Sequence, residues 1–355
     1  MSETTSENTV TVTVTTEYDY SEYFDGSDYY SPCVSRGTMD FSRMLITVLF
    51  SLVFILGLIG NVLVVCVLVK HRKQSTFTDI CLFNLALSDL IFIVMLPLYI
   101  DYAVVKRWSH GDFLCRFAGG FKRTGFFGSI FILVVMTLDR YMVITHGVKV
   151  AKYRTTRTGA ALTVVVWLLS LCVSLPAFIF TKETNGPGCD YDPESKAWGV
   201  YDISANTILG LVLPLMVMVM CYSRIIPVLM RIRSSKKQRV VKLIVSIMVV
   251  FFVLWTPYNI SRLLIFLQSD WNLLNDCDSA HNVKMSLVVS ETLAFTHCCL
   301  NPIIYTFVGQ KFMRRVCLLL GGWVPGTKRA RRDSSDSFSR RSSVASTLSE
   351  TLLIM

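Results

Sequence analysis

The chain predicts an all-α membrane protein, a seven-transmembrane helix bundle with a short amphipathic eighth helix. Three observations carry that prediction. Of its 355 residues, 52% are hydrophobic and 17% charged, and the mean hydropathy is +0.51, too apolar for a soluble protein of this size. Apolar runs recur at 43–69, 78–104, 113–138, 159–181, 203–230, 240–267 and 283–308, each meeting the ~20 residues a helix needs to cross a bilayer. Basic residues follow the first, third and fifth runs. Four regions result: an acidic, Tyr-rich extracellular tail (1–42), the bundle (43–309), an interfacial helix (310–322) and a cytoplasmic Ser/Thr-rich tail (323–355).

Orientation follows from the short loops. Lys70, Arg72 and Lys73 follow span one, Lys149, Lys152, Arg154 and Arg157 span three, and Arg231, Arg233, Lys236, Lys237 and Arg239 span five. Loops rich in Lys and Arg stay cytoplasmic, so the N-terminus lies outside and the C-terminus inside. The net charge of +10 is therefore an inner surface facing anionic lipid and an acidic cytosolic partner, and no nucleic-acid partner is expected.

The first forty residues reverse that sign, with Glu3, Glu7, Glu17, Asp19, Glu22, Asp25, Asp28 and Asp40 against Arg36 alone. Such a segment cannot bury a core and is expected to be disordered. It has no basic start with a short apolar region, so no cleavable signal peptide is expected and span one serves as the targeting signal. Tyr18, Tyr20, Tyr23, Tyr29 and Tyr30 alternate with its acids, a setting suited to tyrosine sulfation. The Asn259 glycosylation match falls inside span six and is discounted.

Cysteines divide by side. Cys33, Cys115, Cys189 and Cys277 lie outside, where four thiols allow three pairings. Cys66, Cys81, Cys172, Cys221, Cys298 and Cys299 lie in spans and read as small buried hydrophobes.

Polar residues punctuate the spans: Asn61 in one, Asp89 in two, Asp139 and Arg140 in three, Trp167 in four, Pro214 and Tyr222 in five, Trp255 and Pro257 in six, Glu291 and Asn301-Pro302 in seven. A carboxylate in hydrocarbon implies a protein interior or a water-filled cavity. Glu291 thus predicts an outer cavity, and Asn301-Pro302 a break in the helix beneath it. Asp89 should neutralise or find a cation; with Ser129 and Asn301 as oxygen co-ligands, it suits sodium. No other cofactor is expected. Lys122, Ser129 and Arg140 are spaced by near-whole numbers of 3.6-residue turns and share a face. Lys122 should pair with Glu291 across the cavity, since both lie ~10 Å below the outer rim at 1.5 Å per residue.

Gln310 to Leu320 combines Lys311, Arg314 and Arg315 with Phe312, Val316, Leu318 and Leu319, an interfacial helix whose Cys317 suits palmitoylation. Beyond it, Ser334, Ser335, Ser337, Ser339, Ser342, Ser343, Ser346, Thr347, Ser349 and Thr351 form a phosphorylation-prone tail.

The motifs FNLALSDL (83–90), Cys115, TLDRYMVI (137–144), WTPYN (255–259) and ETLAFTHCCLNPIIY (291–305) running into FVGQKF resemble those of rhodopsin-class G-protein-coupled receptors, and within them chemokine receptors. The resemblance covers roughly residues 33–315. It implies disulfides Cys115 to Cys189 and Cys33 to Cys277. It also implies a switch in which Arg140, paired with Asp139 and followed by Tyr141, is released to meet a heterotrimeric G protein, Tyr222 and Tyr305, while span six swings about Pro257 and Trp255 beneath the ligand pocket couples occupancy to that hinge. It implies a basic chemokine captured by the acidic tail, the ligand's own N-terminus reaching Glu291, and receptor kinases and arrestin at the phosphorylated tail. Against the family pattern, Lys122 and Arg123 stand where aromatic residues are usual, Tyr99 where Trp is, Phe50 where Tyr is, and Met95 where Thr precedes Pro97. Glu291, Lys122, Arg123, Tyr99, Trp255 and Tyr258 are expected to line the ligand pocket. The expected function is a plasma-membrane chemokine receptor acting through a Gi-type protein; a scavenging receptor that internalises ligand without such signalling is the alternative. A retinal protein lacks its mid-span lysine, a transporter its internal repeat, and an enzyme its metal cluster, nucleophile elbow or phosphate loop, His281 and His297 being read as isolated.

Overall fold

The computed structural model describes residues 36–72, 76–151, 155–184, 188–231, 235–271, 277–308 and 310–321. Seven helical segments in it are long and apolar enough to cross a membrane. Span one is α1 (Arg36–Lys70); span two is α2 (Phe77–Ile93) with α3 (Leu96–Val105); span three is α4 (Gly111–Ala151); span four is α5 (Thr156–Phe180). A two-stranded antiparallel hairpin follows, β1 (Thr181–Glu183) with β2 (Cys189–Tyr191), pairing Lys182 with Asp190. Span five joins α6 (Lys196–Ser204), a π-helical stretch (Ala205–Val212) and α7 (Leu213–Arg231); span six is α8 (Ser235–Trp271). Span seven is α9 (Cys277–Phe295) with α10 (His297–Val308), and α11 (Gln310–Gly321) is the eighth helix.

The runs expected to be single helices are interrupted in three places, two of them just before a proline. A proline has no N–H to donate and its ring crowds the carbonyl four residues back. Before Pro97, Val94 and Met95 form a turn in which Met95 N–H reaches only back to Phe92 O (3.2 Å). Before Pro214, the backbone widens to a π-helix and Leu213 N–H bonds Ile208 O, five residues back. Span seven was expected to break at Asn301-Pro302, but Pro302 sits inside α10 and the turn falls a turn and a half earlier, at Thr296. There the Thr296 hydroxyl and N–H both bond Leu293 O (2.6 and 3.0 Å), a local bond that competes with the helical ladder.

The carbonyl that Pro302 leaves without a helical donor, Cys298 O, takes a 2.8 Å hydrogen bond from Asn61 Nδ2 in span one. Span one comes close enough because Gly60 offers no side chain: a Cβ there would meet Pro302 Cβ and Cγ at 2.9 Å. Trp167 donates its indole N–H to Asn84 Oδ1 (3.0 Å), while Asn84 Nδ2 bonds Thr163 Oγ1 (3.0 Å), tying span two to span four.

Burial follows the bilayer. Leu168, Leu169, Leu171 and Leu175 of span four point outward, where lipid is as apolar as a core. The same reasoning corrects the reading of the span cysteines. Cys81, Cys221 and Cys298 are buried, Cys299 is intermediate, but Cys66 and Cys172 are exposed on the outer surface of the bundle, at no cost if that surface meets hydrocarbon.

Candidate functional site

The outer end of the bundle is braced by a disulfide from Cys115 at the top of span three to Cys189 on β2, with Cα atoms 5.6 Å apart. Lys182 of the hairpin holds Asp192 at 2.8 Å, and that carboxylate keeps the ammonium above its ordinary pKa. Cys33 lies outside the described residues, as do Tyr18, Tyr20, Tyr23, Tyr29 and Tyr30; Cys277 opens α9.

Below this rim, buried charges converge. Lys122 Nζ lies 3.3 Å from Glu291 Oε1 and 5.3 Å from the centre of the Tyr99 ring. One residue on, Arg123 turns about 100° around the helix and reaches span five, placing Nη2 2.7 Å from Asp202 Oδ2 and Nη1 on Asn206 Oδ1. Arg262 of span six takes the same Asp202 oxygen at 2.6 Å and lies 5.7 Å from the Tyr258 ring centre. Asn206 Nδ2 donates to the Asp202 backbone carbonyl at 2.6 Å. Glu291, Asp202 and Asp190 are all at least 90% buried, so each carboxylate needs cations or donors nearby.

Asp202, Asp190, Asn206 and Arg262 were not anticipated. Asp202 falls one residue before the apolar run of span five, and Asp190 lies outside the apolar runs. Arg262 lies within span six, and the usable signal was simply a guanidinium inside an apolar window.

Beneath these charges the packing is aromatic. Trp255 is buried and packs on Phe126 at 4.4 Å between centroids, on Tyr258 at 5.5 Å and on His297 at 5.4 Å. His297, taken from sequence as isolated, is instead buried beside Asp89, with Nε2 3.5 Å from Asp89 Oδ1. Its other nitrogen lies 2.8 Å from Ala294 O. A carbonyl only accepts, so Nδ1 carries the proton. The break at Thr296 is what aims this ring into the core: it starts α10 on His297.

Asp89 is fully buried; Oδ2 accepts from Asn301 Nδ2 at 2.8 Å, whereas Oδ1 accepts no hydrogen bond among the described residues. Ser129 Oγ donates to Ser88 Oγ at 3.1 Å. Asp89 Oδ1 thus keeps a lone pair for a small hard cation, with a nitrogen of His297 and the sulfur of Cys298 in the same cluster, while Asn301 turns its amide nitrogen to the carboxylate.

At the inner end Arg140 Nη2 lies 3.1 Å from Asp139 Oδ2 and also bonds Thr78 Oγ1. Lys122, Ser129 and Arg140 thus do share a face: their neighbours Tyr99, Ser88 and Thr78 all belong to span two. Tyr222 is buried and Tyr141 half-buried. Tyr305 lies in α10, but its side chain is outside the described set. Arg315 of α11 reaches Asp79 at 3.2 Å, fastening the eighth helix to the start of span two, and Cys317 is exposed on that helix. The ten Ser and Thr positions from Ser334 to Thr351 lie outside the described residues.

Comparison with known proteins agrees with this geometry. Residues 60–305 match the family model described as 7 transmembrane receptor (rhodopsin family). The C-C chemokine receptor type 1 of Homo sapiens is 38% identical over 343 residues, covering 92% of this chain and 96% of that protein. The C-C chemokine receptor type 3 of Cavia porcellus is 39% identical over 341 residues, 92% of each.

Proposed function

The chain belongs to the rhodopsin family of seven-transmembrane receptors, in its chemokine-receptor branch, and from that premise we propose a plasma-membrane receptor, N-terminus outside, that binds a basic chemokine and activates a Gi-type heterotrimeric G protein. It is a receptor and not an enzyme.

The observation that carries this reading is Glu291: a buried carboxylate below the braced outer rim, with Lys122 at 3.3 Å. A ligand's amine is the same kind of partner as Lys122 and competes for the same oxygen. The acidic tail draws a basic ligand to the rim by long-range attraction that salt weakens. Occupancy of the cavity bears on Tyr258 and Trp255, and through Trp255 on His297 and the Asp89–Asn301 pair below. Pro257 supplies the hinge. Release of Arg140 from Asp139 opens the inner face to the G protein.

Asp89, Ser129 and Asn301 would hold a sodium ion, which would supply a positive charge that favours the resting packing. Phosphorylation of Ser334, Ser335, Ser337, Ser339, Ser342, Ser343, Ser346, Thr347, Ser349 and Thr351 by receptor kinases would recruit arrestin, and a palmitoyl chain on Cys317 would anchor α11 to the inner leaflet.

The test is inhibition of cyclic AMP formation on addition of each member of a chemokine panel to cells expressing the full chain, with and without pertussis toxin. Toxin-sensitive inhibition is expected. Binding and uptake with no toxin-sensitive response would instead favour the scavenging receptor, a reading kept in view by Met142, Val143 and Thr145 after the Asp139-Arg140-Tyr141 triplet.

A further inference from the structure

Span two and the start of α10 bring a carboxylate, an imidazole and a thiol together in the core. Asp89, His297 and Cys298 are buried, and one donor atom from each lies within 4.8 Å of the others. His297 Nε2 stands 3.5 Å from Asp89 Oδ1 and 3.5 Å from Cys298 Sγ. The ring's single proton is on Nδ1, committed to Ala294 O at 2.8 Å, so Nε2 of the neutral imidazole turns a lone pair toward Oδ1. Oδ1 itself accepts no hydrogen bond among the described residues. Two lone pairs that face each other in a dry interior repel, and a cation between them removes the repulsion.

We propose that Asp89 Oδ1, His297 Nε2 and Cys298 Sγ bind a zinc ion that fastens span two to the start of α10. Donors held at zinc bond lengths and tetrahedral angles lie ~3.3–3.7 Å apart, the spacing that Nε2 keeps to both of its neighbours. The ion sits among its own ligands, so it requires no separate chamber, and the fourth position falls to a water. Binding displaces the thiol proton to solvent; one carboxylate and one thiolate then cancel the two charges of the metal, which a low-dielectric interior requires. The orienting bonds that metal ligands carry are also in place: Nδ1–H on a backbone carbonyl, and Asp89 Oδ2 on Asn301 Nδ2 at 2.8 Å. Nitrogen and sulfur ligands select zinc over sodium. Asn301 presents its amide nitrogen here and the Ser129 hydroxyl donates to Ser88, so the sodium ion proposed above shares only Asp89 Oδ1 with this site and competes for it. Trp255 packs on His297 at 5.4 Å, and an ion that fixes the ring restrains the tryptophan above it. None of this depends on which ligand the receptor takes.

The experiment uses the full chain, purified without ligand and stripped with a chelator, then given zinc, cobalt or magnesium chloride. Zinc is expected to bind at one equivalent and raise the thermal unfolding midpoint by several degrees, magnesium to do neither, and high sodium to weaken the zinc effect. Cobalt is expected to give the near-ultraviolet charge-transfer band of a thiolate–metal bond. Cys66, Cys172 and Cys317 are exposed, so blocking accessible thiols beforehand removes any band of theirs and should leave that of Cys298. Loss of the band on blocking overturns the inference, and this arm does not depend on any variant folding. Cys298→Ser, which keeps the size of the side chain, should abolish both the band and the zinc shift. A zinc shift of equal size in Cys298→Ser overturns the inference, as does a wild-type receptor stabilised by sodium and not by zinc.

Discussion

Asn61 Nδ2 donates a 2.8 Å hydrogen bond to the backbone oxygen of Cys298, the acceptor four residues before Pro302. No helical N–H can reach that oxygen, because Pro302 has none to give. In a bilayer an unsatisfied carbonyl is costly, and a neighbouring helix must supply the donor. Asn61→Leu keeps the volume and removes the donor. It is expected to destabilise the purified receptor by ~1–3 kcal/mol, lowering its thermal unfolding midpoint by several degrees. A midpoint equal to wild type would show that Cys298 O has no need of Asn61.

Gly60 is the steric half of the same junction. A Cβ there would meet the Pro302 ring at 2.9 Å, a rigid ring that cannot rotate away, so Gly60→Ala must push spans one and seven apart. The expected cost is ~1–3 kcal/mol. Gly199 is the control: nothing lies within 4 Å of its added Cβ, so Gly199→Ala should leave the midpoint unchanged or slightly raised. Equal behaviour of the two variants would argue against a close contact at Gly60.

The two halves of this junction differ in how far they could be read from sequence. Asn61 and Pro302 each stood out as polar or rigid residues in apolar runs, and hydropathy placed all seven spans. Their pairing did not follow, because it depends on which helices touch and at what height. The turn at Thr296 was also hidden, since its cause is a hydroxyl bonding three residues back rather than the proline that draws attention. His297 was dismissed for the same reason: its partner Asp89 lies on another span, more than two hundred residues away. By contrast, Lys122 and Glu291 could be paired in advance, because each is too costly alone at that depth and each had a known distance from the rim. Arg262 obeyed the same rule.

Arg140 is held by Asp139 at 3.1 Å and by Thr78 from span two. Asp139→Asn keeps a hydrogen-bonding group but removes the charge that retains the guanidinium. If the ion pair favours the resting arrangement by on the order of 1 kcal/mol, its loss raises the active fraction about fivefold. Ligand-free inhibition of cyclic AMP at matched surface expression measures this. Basal activity no higher than wild type would place the restraint on Thr78 or elsewhere.

The Lys122–Glu291 pair is mostly hidden from solvent, with side chains 20% and 7% exposed, so removing one partner differs in kind from removing both. Lys122→Met leaves a carboxylate buried with its cation gone, which typically costs ~3–5 kcal/mol. Glu291→Gln strands the ammonium, though a Lys stem has some freedom to move its charge toward outer water. The double variant, Lys122→Met with Glu291→Gln, leaves no uncompensated charge, so it should recover most of the surface expression and thermal stability lost in Lys122→Met. Ligand potency should not recover, because the acceptor for the ligand's amine is gone. A double-mutant cycle on the unfolding midpoint isolates the coupling. Additive losses would mean that the two groups do not hold each other, and no change in either expression or potency for Lys122→Met would sink the pairing outright.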